Sequence, residues 1–203
     1  MADRQQRMRI IWIAALVVVA VALGLGVRFY LAPSSIPRVS VTGTSLVGGP
    51  FTLVDQDGKA RTDAEFRGKL MLVYFGYTYC PDICPTELQT MSDALDALGD
   101  KAAAVQPIFI TVDPERDTPS VVKDYVGHFH PRFIGLTGTP RQVEAATRAY
   151  RVYAAKVPAK DGGDYLMDHT GLVYLMGTDG KYLANFLPQT TSQEMAKTIA
   201  KHL

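Results

Sequence analysis

The sequence predicts an α/β fold, a sheet covered on both faces by helices, and three observations predict it. Two runs, 69–76 and 105–112, are too continuously apolar to be edge strands and read as buried ones. Each is followed by a stretch with apolar residues at helical spacing. Near the C-terminus two short apolar runs flank Thr178-Asp179-Gly180-Lys181, a strong hairpin signal.

Taken from the N-terminus, residues 1–9 carry Arg4, Arg7 and Arg9 against Asp3 and form a short cytoplasmic segment. Residues 10–27 hold no charge, and with Arg28, Phe29 and Tyr30 as an interfacial cluster they give a single membrane anchor over 10–30. The apolar run exceeds that of a cleaved signal peptide, and the arginine bias leaves everything after it on the periplasmic side of an inner, energy-transducing membrane. Residues 31–46, in a stretch rich in Pro, Ser, Thr and Gly, form a flexible tether. Residues 47–203 remain for one domain. The formal net charge of +1 argues against nucleic acid as a partner.

Within that domain residues 51–59 open an N-terminal hairpin at Asp57-Gly58. Strand 69–76 follows, then a helix over 85–98, whose stripe is Leu88, Met91, Leu95 and Leu98 and whose stop is Gly99. Strand 105–112 leads to a helix over 119–129, with Val121, Val122, Tyr125 and Val126 as its apolar residues. A short strand at 133–136, a helix at 140–150, the added C-terminal hairpin of 171–176 with 182–186, and a helix at 191–203 complete the order. A strand, a cysteine-containing turn, a helix, a strand and a helix, closed by a hairpin and a helix, is the order of a thioredoxin-like domain with extra elements.

Cys80 and Cys84 are the only cysteines, in Tyr77-Thr78-Tyr79-Cys80-Pro81-Asp82-Ile83-Cys84-Pro85. Each precedes a proline, which disfavours helical backbone, so the pair is expected on a short loop with the helix beginning at Pro85. Both sulfurs then face the positive end of a helix dipole, which favours thiolate. A redox couple, a metal site and an inert disulfide all remain open at this point.

Of the four histidines, His128 and His130 sit near a helix end as surface residues and His202 is terminal. His169, in Met167-Asp168-His169-Thr170-Gly171, follows a polar loop over 156–164 and directly precedes a strand that should face the cysteine loop. Two thiolates and one imidazole suit Cu(I), and the imidazole also permits Cu(II). Structural zinc would want a fourth protein ligand. Asp168 is a candidate for orienting the His169 ring. Asp113, in Asp113-Pro114-Glu115-Arg116-Asp117, is a candidate for partner contact or for tuning the charge of the site, whereas Asp117 is read as the cap of the next helix.

These three segments, Gly76–Pro85, Thr111–Pro119 and Asp168-His169-Thr170 with Val173–Met176, resemble the Sco/SenC family of membrane-anchored copper chaperones. The resemblance implies a thioredoxin-like fold with copper bound by Cys80, Cys84 and His169. It also implies a role in assembling the binuclear copper centre of cytochrome c oxidase subunit II, by copper transfer, by reduction of the target's cysteines, or by both. Another copper carrier or a thiol reductant would then supply the site.

Two further classes of function fit part of the pattern. A thiol-disulfide oxidoreductase would need only Cys80 and Cys84, but Asp168-His169-Thr170 stands where thioredoxins carry a cis-proline, which favours metal. A copper or redox sensor would show the same ligands.

Overall fold

The computed structural model describes residues 47–158 and 164–203. The expected N-terminal segment 1–9, anchor 10–30 and tether 31–46 lie outside the described residues. Among the described residues no helix is long and apolar enough to cross a membrane.

The domain opens with a hairpin of β1 (Thr52–Asp55) and β2 (Ala60–Thr62). Its turn is held by Asp55, whose Oδ1 accepts from the N–H groups of Asp57 and Lys59, both at 2.9 Å. Gly58 supplies the positive φ of 80° that the turn needs. After a 3-10 turn, Asp63–Phe66, comes β3 (Leu70–Gly76), buried at every position. Alternate side chains point to opposite faces of a strand, so this requires cover on both faces of the sheet. β3 pairs in parallel with β4 (Val105–Thr111) and antiparallel with β8 (Val173–Met176), which puts it in the interior of the sheet.

Between β3 and β4 runs α1 (Ile83–Leu98), followed by a second 3-10 turn, Gly99–Ala104. Its stripe of Leu88, Met91 and Leu95 has no solvent exposure, and burying each such side chain contributes about 1.5–3 kcal/mol. α2 (Pro119–Val126) packs over β5 (Ile134–Thr137), where Gly135 lets Val122 approach closely: a Cβ there would lie 2.3 Å from a Val122 methyl. α3 (Pro140–Tyr150) follows, started by Pro140 and by the reciprocal cap of Thr139 and Gln142. After α3 come β6 (Ala154–Val157) and β7 (Leu166–His169), then β8, β9 (Tyr182–Phe186) and α4 (Ser192–Ile199), which packs on α1. The main sheet has the order β2-β1-β5-β4-β3-β8-β9, and β6 and β7 form a separate two-stranded ribbon.

The α/β class, both hairpins and the order of elements agree with the sequence-based expectation, and three local expectations need correction. The helix begins at Ile83, not Pro85, so Cys84 lies in its first turn rather than on a loop. Proline in the first turn removes only an N–H that has no intrahelical partner, so Pro85 is tolerated there. The cap of α2 is Thr118, whose hydroxyl accepts from Val121 N–H, and Asp117 is turned inward. His169 ends a strand of the ribbon instead of following a loop. Both ribbon strands are largely half-exposed and carry no clean alternation, so nothing in their pattern announces them.

Candidate metal centre

β3 delivers the chain at Gly76 to the end of the sheet, and α1 carries it back down. The turn between them holds Cys80, whose N–H donates to the Tyr77 carbonyl at 3.3 Å. The N–H of Cys84 donates to the Cys80 sulfur at 3.4 Å, so the first turn of α1 presents a backbone donor to one thiol while carrying the other. Cys84 is fully buried, Cys80 is half-buried, and both are free thiols.

The third donor comes from 85 residues further along the chain. β7 pairs with β6 in a register that sets His169 opposite Ala154, and Nε2 of His169 lies 3.4 Å from Cys84 Sγ. Nδ1 lies 3.2 Å from the Thr170 carbonyl. The rings of Tyr74 and Tyr77 meet the imidazole edge-on, at centroid distances of 6.2 and 5.8 Å. Asp168, expected to orient the ring, is exposed and neighbours His169 on a strand, where successive side chains diverge; the ring's second nitrogen faces the Thr170 carbonyl instead.

The two thiols are not equivalent, contrary to the expectation that the helix end favours thiolate at both. The Cys80 thiol is pulled down to about 3, first by a hydrogen bond from the Cys84 thiol and, against the cost of burial, by His169 and the N–H groups of Asp82 and Cys84. Cys84 is pushed up by that same bond to Cys80, by burial and by the neighbouring charge.

The loop after β4 supports this end of the sheet. Asp113 is buried and accepts from Arg116 Nε at 2.5 Å and from the Tyr165 hydroxyl at 2.9 Å. Arg116 in turn lies over the rings of Tyr79 and Tyr165, 4.9 and 3.8 Å from their centroids, and donates to the Tyr165 carbonyl. It ties the cysteine turn to the start of β7. Asp117 is fully buried and accepts from Thr78 N–H, from the Thr78 hydroxyl and from the Thr111 hydroxyl, while its own carbonyl accepts from Thr137. Burial pushes its carboxyl up, against those hydrogen bonds. The sequence does not single out Arg116, and it offers Asp117 only as a cap, because the Thr78 and Thr111 partners that draw it inward lie elsewhere in the chain.

A groove of about 710 Å³ opens beside the three donors and is lined by Tyr77, Cys80, Ile83, Leu166, Met167 and His169 among others. Of the other histidines, His128 is exposed, and His130 is half-buried, its Nδ1 accepting from Arg132 N–H. No group of three His, Cys, Asp or Glu side chains among the described residues stands in metal-holding geometry as it is. The donor chemistry nonetheless fits a soft ion: His169 Nε2 lies 3.4 Å from Cys84 Sγ, and the Cys80 sulfur stands at the N–H of the same Cys84.

Residues 39–203 match the family model SCO1/SenC. A SCO2-like protein of Rickettsia felis is 38% identical over 191 residues, covering 90% of this chain and 93% of that one. The copper-bound structure of ScoI from Bradyrhizobium japonicum superposes with a TM-score of 0.72 at 50% identity, over 77% of this chain and 99% of ScoI. BsSco, described as a member of the Sco family of cytochrome c oxidase assembly proteins and as containing a disulfide switch, superposes with a TM-score of 0.62 at 27% identity, over 79% of this chain and 96% of BsSco. The chain belongs to the SCO1/SenC family.

Proposed function

We propose that this protein is a copper metallochaperone whose cargo, Cu(I) or Cu(II), is held by Cys80, Cys84 and His169 and passed to subunit II of cytochrome c oxidase for its binuclear copper centre. The observation that carries the reading is the 3.4 Å approach of His169 Nε2 to Cys84 Sγ, which joins segments far apart in the chain into one soft donor set. The copper carried by ScoI at 50% identity and the description of BsSco support the metal and the kind of recipient. Residues 10–30 anchor the chain in the inner membrane with residues 1–9 in the cytoplasm, so that the domain meets its recipient on the outer side. Cys80 stands at the open groove, where a recipient's thiolate can approach before the buried Cys84 lets go.

One observation favours a second activity at the same residues. A half-exposed thiol held low beside a buried thiol held high is the pairing of an attacking and a resolving cysteine. Cys80 thiolate would attack a target disulfide to give a mixed disulfide and free one target thiol. Cys84 would then displace the second, leaving the target reduced and Cys80–Cys84 oxidised, with a cellular thiol reductant restoring the pair.

The deciding experiment is copper binding by the fully reduced protein, wild type against His169→Ala. One copper per chain, a thiolate-to-Cu(II) charge-transfer band lost in the variant, and Cu(I) binding weakened less are expected, because two sulfurs remain. Equal loss of both oxidation states would contradict the ligand assignment. No copper in the wild type alongside rapid disulfide exchange would favour the second activity.

A further inference from the structure

Tyr74 is the bulkiest side chain at zero exposure in the domain, and its position is unusual for a core tyrosine. It lies on β3, in register with Phe109 of β4 and Val173 of β8, so its ring belongs to the packed interior while its hydroxyl needs a polar partner. That partner is the sulfur of Cys84, 3.6 Å away. The approach depends on Gly76: a Cβ at that position would lie 2.8 Å from Tyr74 Cε1 and 3.0 Å from Cys84 Sγ, so the absence of a side chain leaves the space in which ring and sulfur meet. The same ring meets the His169 imidazole edge-on. Tyr74 thus touches two of the three donors without reaching the open groove.

We infer that Tyr74 is a positioning and tuning residue for the copper site: its hydroxyl donates a hydrogen bond to Cys84 Sγ and so draws electron density from one of the two sulfurs. A thiolate that shares its lone pair with a donor is a weaker partner for Cu(II) than for the less electron-demanding Cu(I), and hydrogen bonding at a cysteine sulfur is an established lever on copper potential. The site is therefore biased toward the reduced ion. This rests on the copper reading above and adds to it a residue that is not itself a ligand.

Tyr74→Phe removes one oxygen and keeps the ring in its packing. Tyr150→Phe removes the hydroxyl of a buried ring that packs on Phe75 and Tyr174 and serves as the control. Each purified full chain is loaded with Cu(II), and the stoichiometry, the thiolate-to-Cu(II) band and the Cu(II)/Cu(I) midpoint are read. The expected result is unchanged stoichiometry in all three proteins, with the band moved to lower energy and the midpoint lowered in Tyr74→Phe alone. An unmoved band and midpoint in copper-loaded Tyr74→Phe would overturn the role of Tyr74 and leave the copper reading standing, whereas a wild type without copper would overturn both. Should Tyr74→Phe fail to fold, the metal-free wild type still decides. Its Tyr74 hydroxyl proton should exchange slowly with water and shift in Cys84→Ala, and a shift unchanged by that substitution would overturn the proposal.

Discussion

The carboxylate of Asp117 takes both the backbone N–H and the hydroxyl of Thr78, at 3.0 and 2.6 Å, and so fixes the turn two residues ahead of Cys80 from a loop 39 residues away. With the Thr111 hydroxyl on the same carboxylate, this is a buried polar network with its donors satisfied. Asp117→Ala strands those donors. At roughly 1–3 kcal/mol for a buried group left without a partner, we expect a loss on the order of 3 kcal/mol in urea unfolding. A loss below about 0.5 kcal/mol, the scale of a surface substitution, would remove the network from the account.

The same residue predicts a pH dependence with a definite sign. Burial raises the folded-state value of Asp117 above the ordinary 3.8, so the folded protein holds this proton more tightly than the unfolded chain does. Its contribution is fully present below the unfolded value and is lost as pH rises through the folded one. The unfolding free energy of wild type minus that of Asp117→Asn should therefore fall with rising pH across that window and flatten above it. Subtraction removes the titration of the cysteine pair, and a flat difference throughout would show that the carboxyl binds its proton equally in both states.

Gly76→Ala tests the crowding at the base of the site. The added methyl meets Tyr74, the Cys84 sulfur and Phe109 at 2.8, 3.0 and 3.1 Å, and overpacking of this kind costs about 1–3 kcal/mol. Because the sulfur is one of the displaced atoms, copper binding should weaken along with stability. Lost stability with unchanged copper affinity would place the strain on the rings alone.

Arg116 connects three parts of the fold through one guanidinium. Removing it in Arg116→Ala leaves the buried Asp113 carboxylate without its cation, at a cost of about 3 kcal/mol. Arg116→Lys restores charge but not the flat stacking on Tyr79 and Tyr165, so it should recover only part. Amide hydrogen exchange over residues 164–169 should quicken in both variants, more in Ala, and equal protection in all three proteins would mean that Arg116 does not hold the start of β7.

The burial difference between the two thiols predicts selective labelling. In the native reduced protein iodoacetamide should modify Cys80 at least about tenfold faster than Cys84, and unfolding should abolish the difference. Comparable native rates would mean that the first turn of α1 opens on the labelling timescale.

The legible parts of this fold were those whose burial is uniform or whose ends are capped by local chemistry. The run at 69–76 is apolar throughout because β3 is covered on both faces, and the predicted bounds of α3 hold because Thr139, Pro140 and Gln142 mark its start. The proximity of Cys80, Cys84 and His169 was legible because only two cysteines exist and only one histidine stands near a strand that faces them. What the sequence concealed was decided by contacts across the chain. Asp117 has the local context of a cap, and only Thr78, 39 residues before it, turns it into a buried hub. The ribbon of β6 and β7 is half-exposed, so no periodicity separates it from a loop. The cation–aromatic stack on Arg116 draws on Tyr79 and Tyr165, which no spacing rule associates.

The separateness of that ribbon has a mechanical consequence. Both sulfurs are rooted in the junction of β3 and α1, while the imidazole rides on a two-stranded piece that belongs to a different sheet. The donor set thus straddles a seam. On the proposed ligand set, a partner that wedges into the groove along it would peel His169 away while every rung of the seven-stranded sheet stays made, and release would come from parting two bodies rather than from melting either.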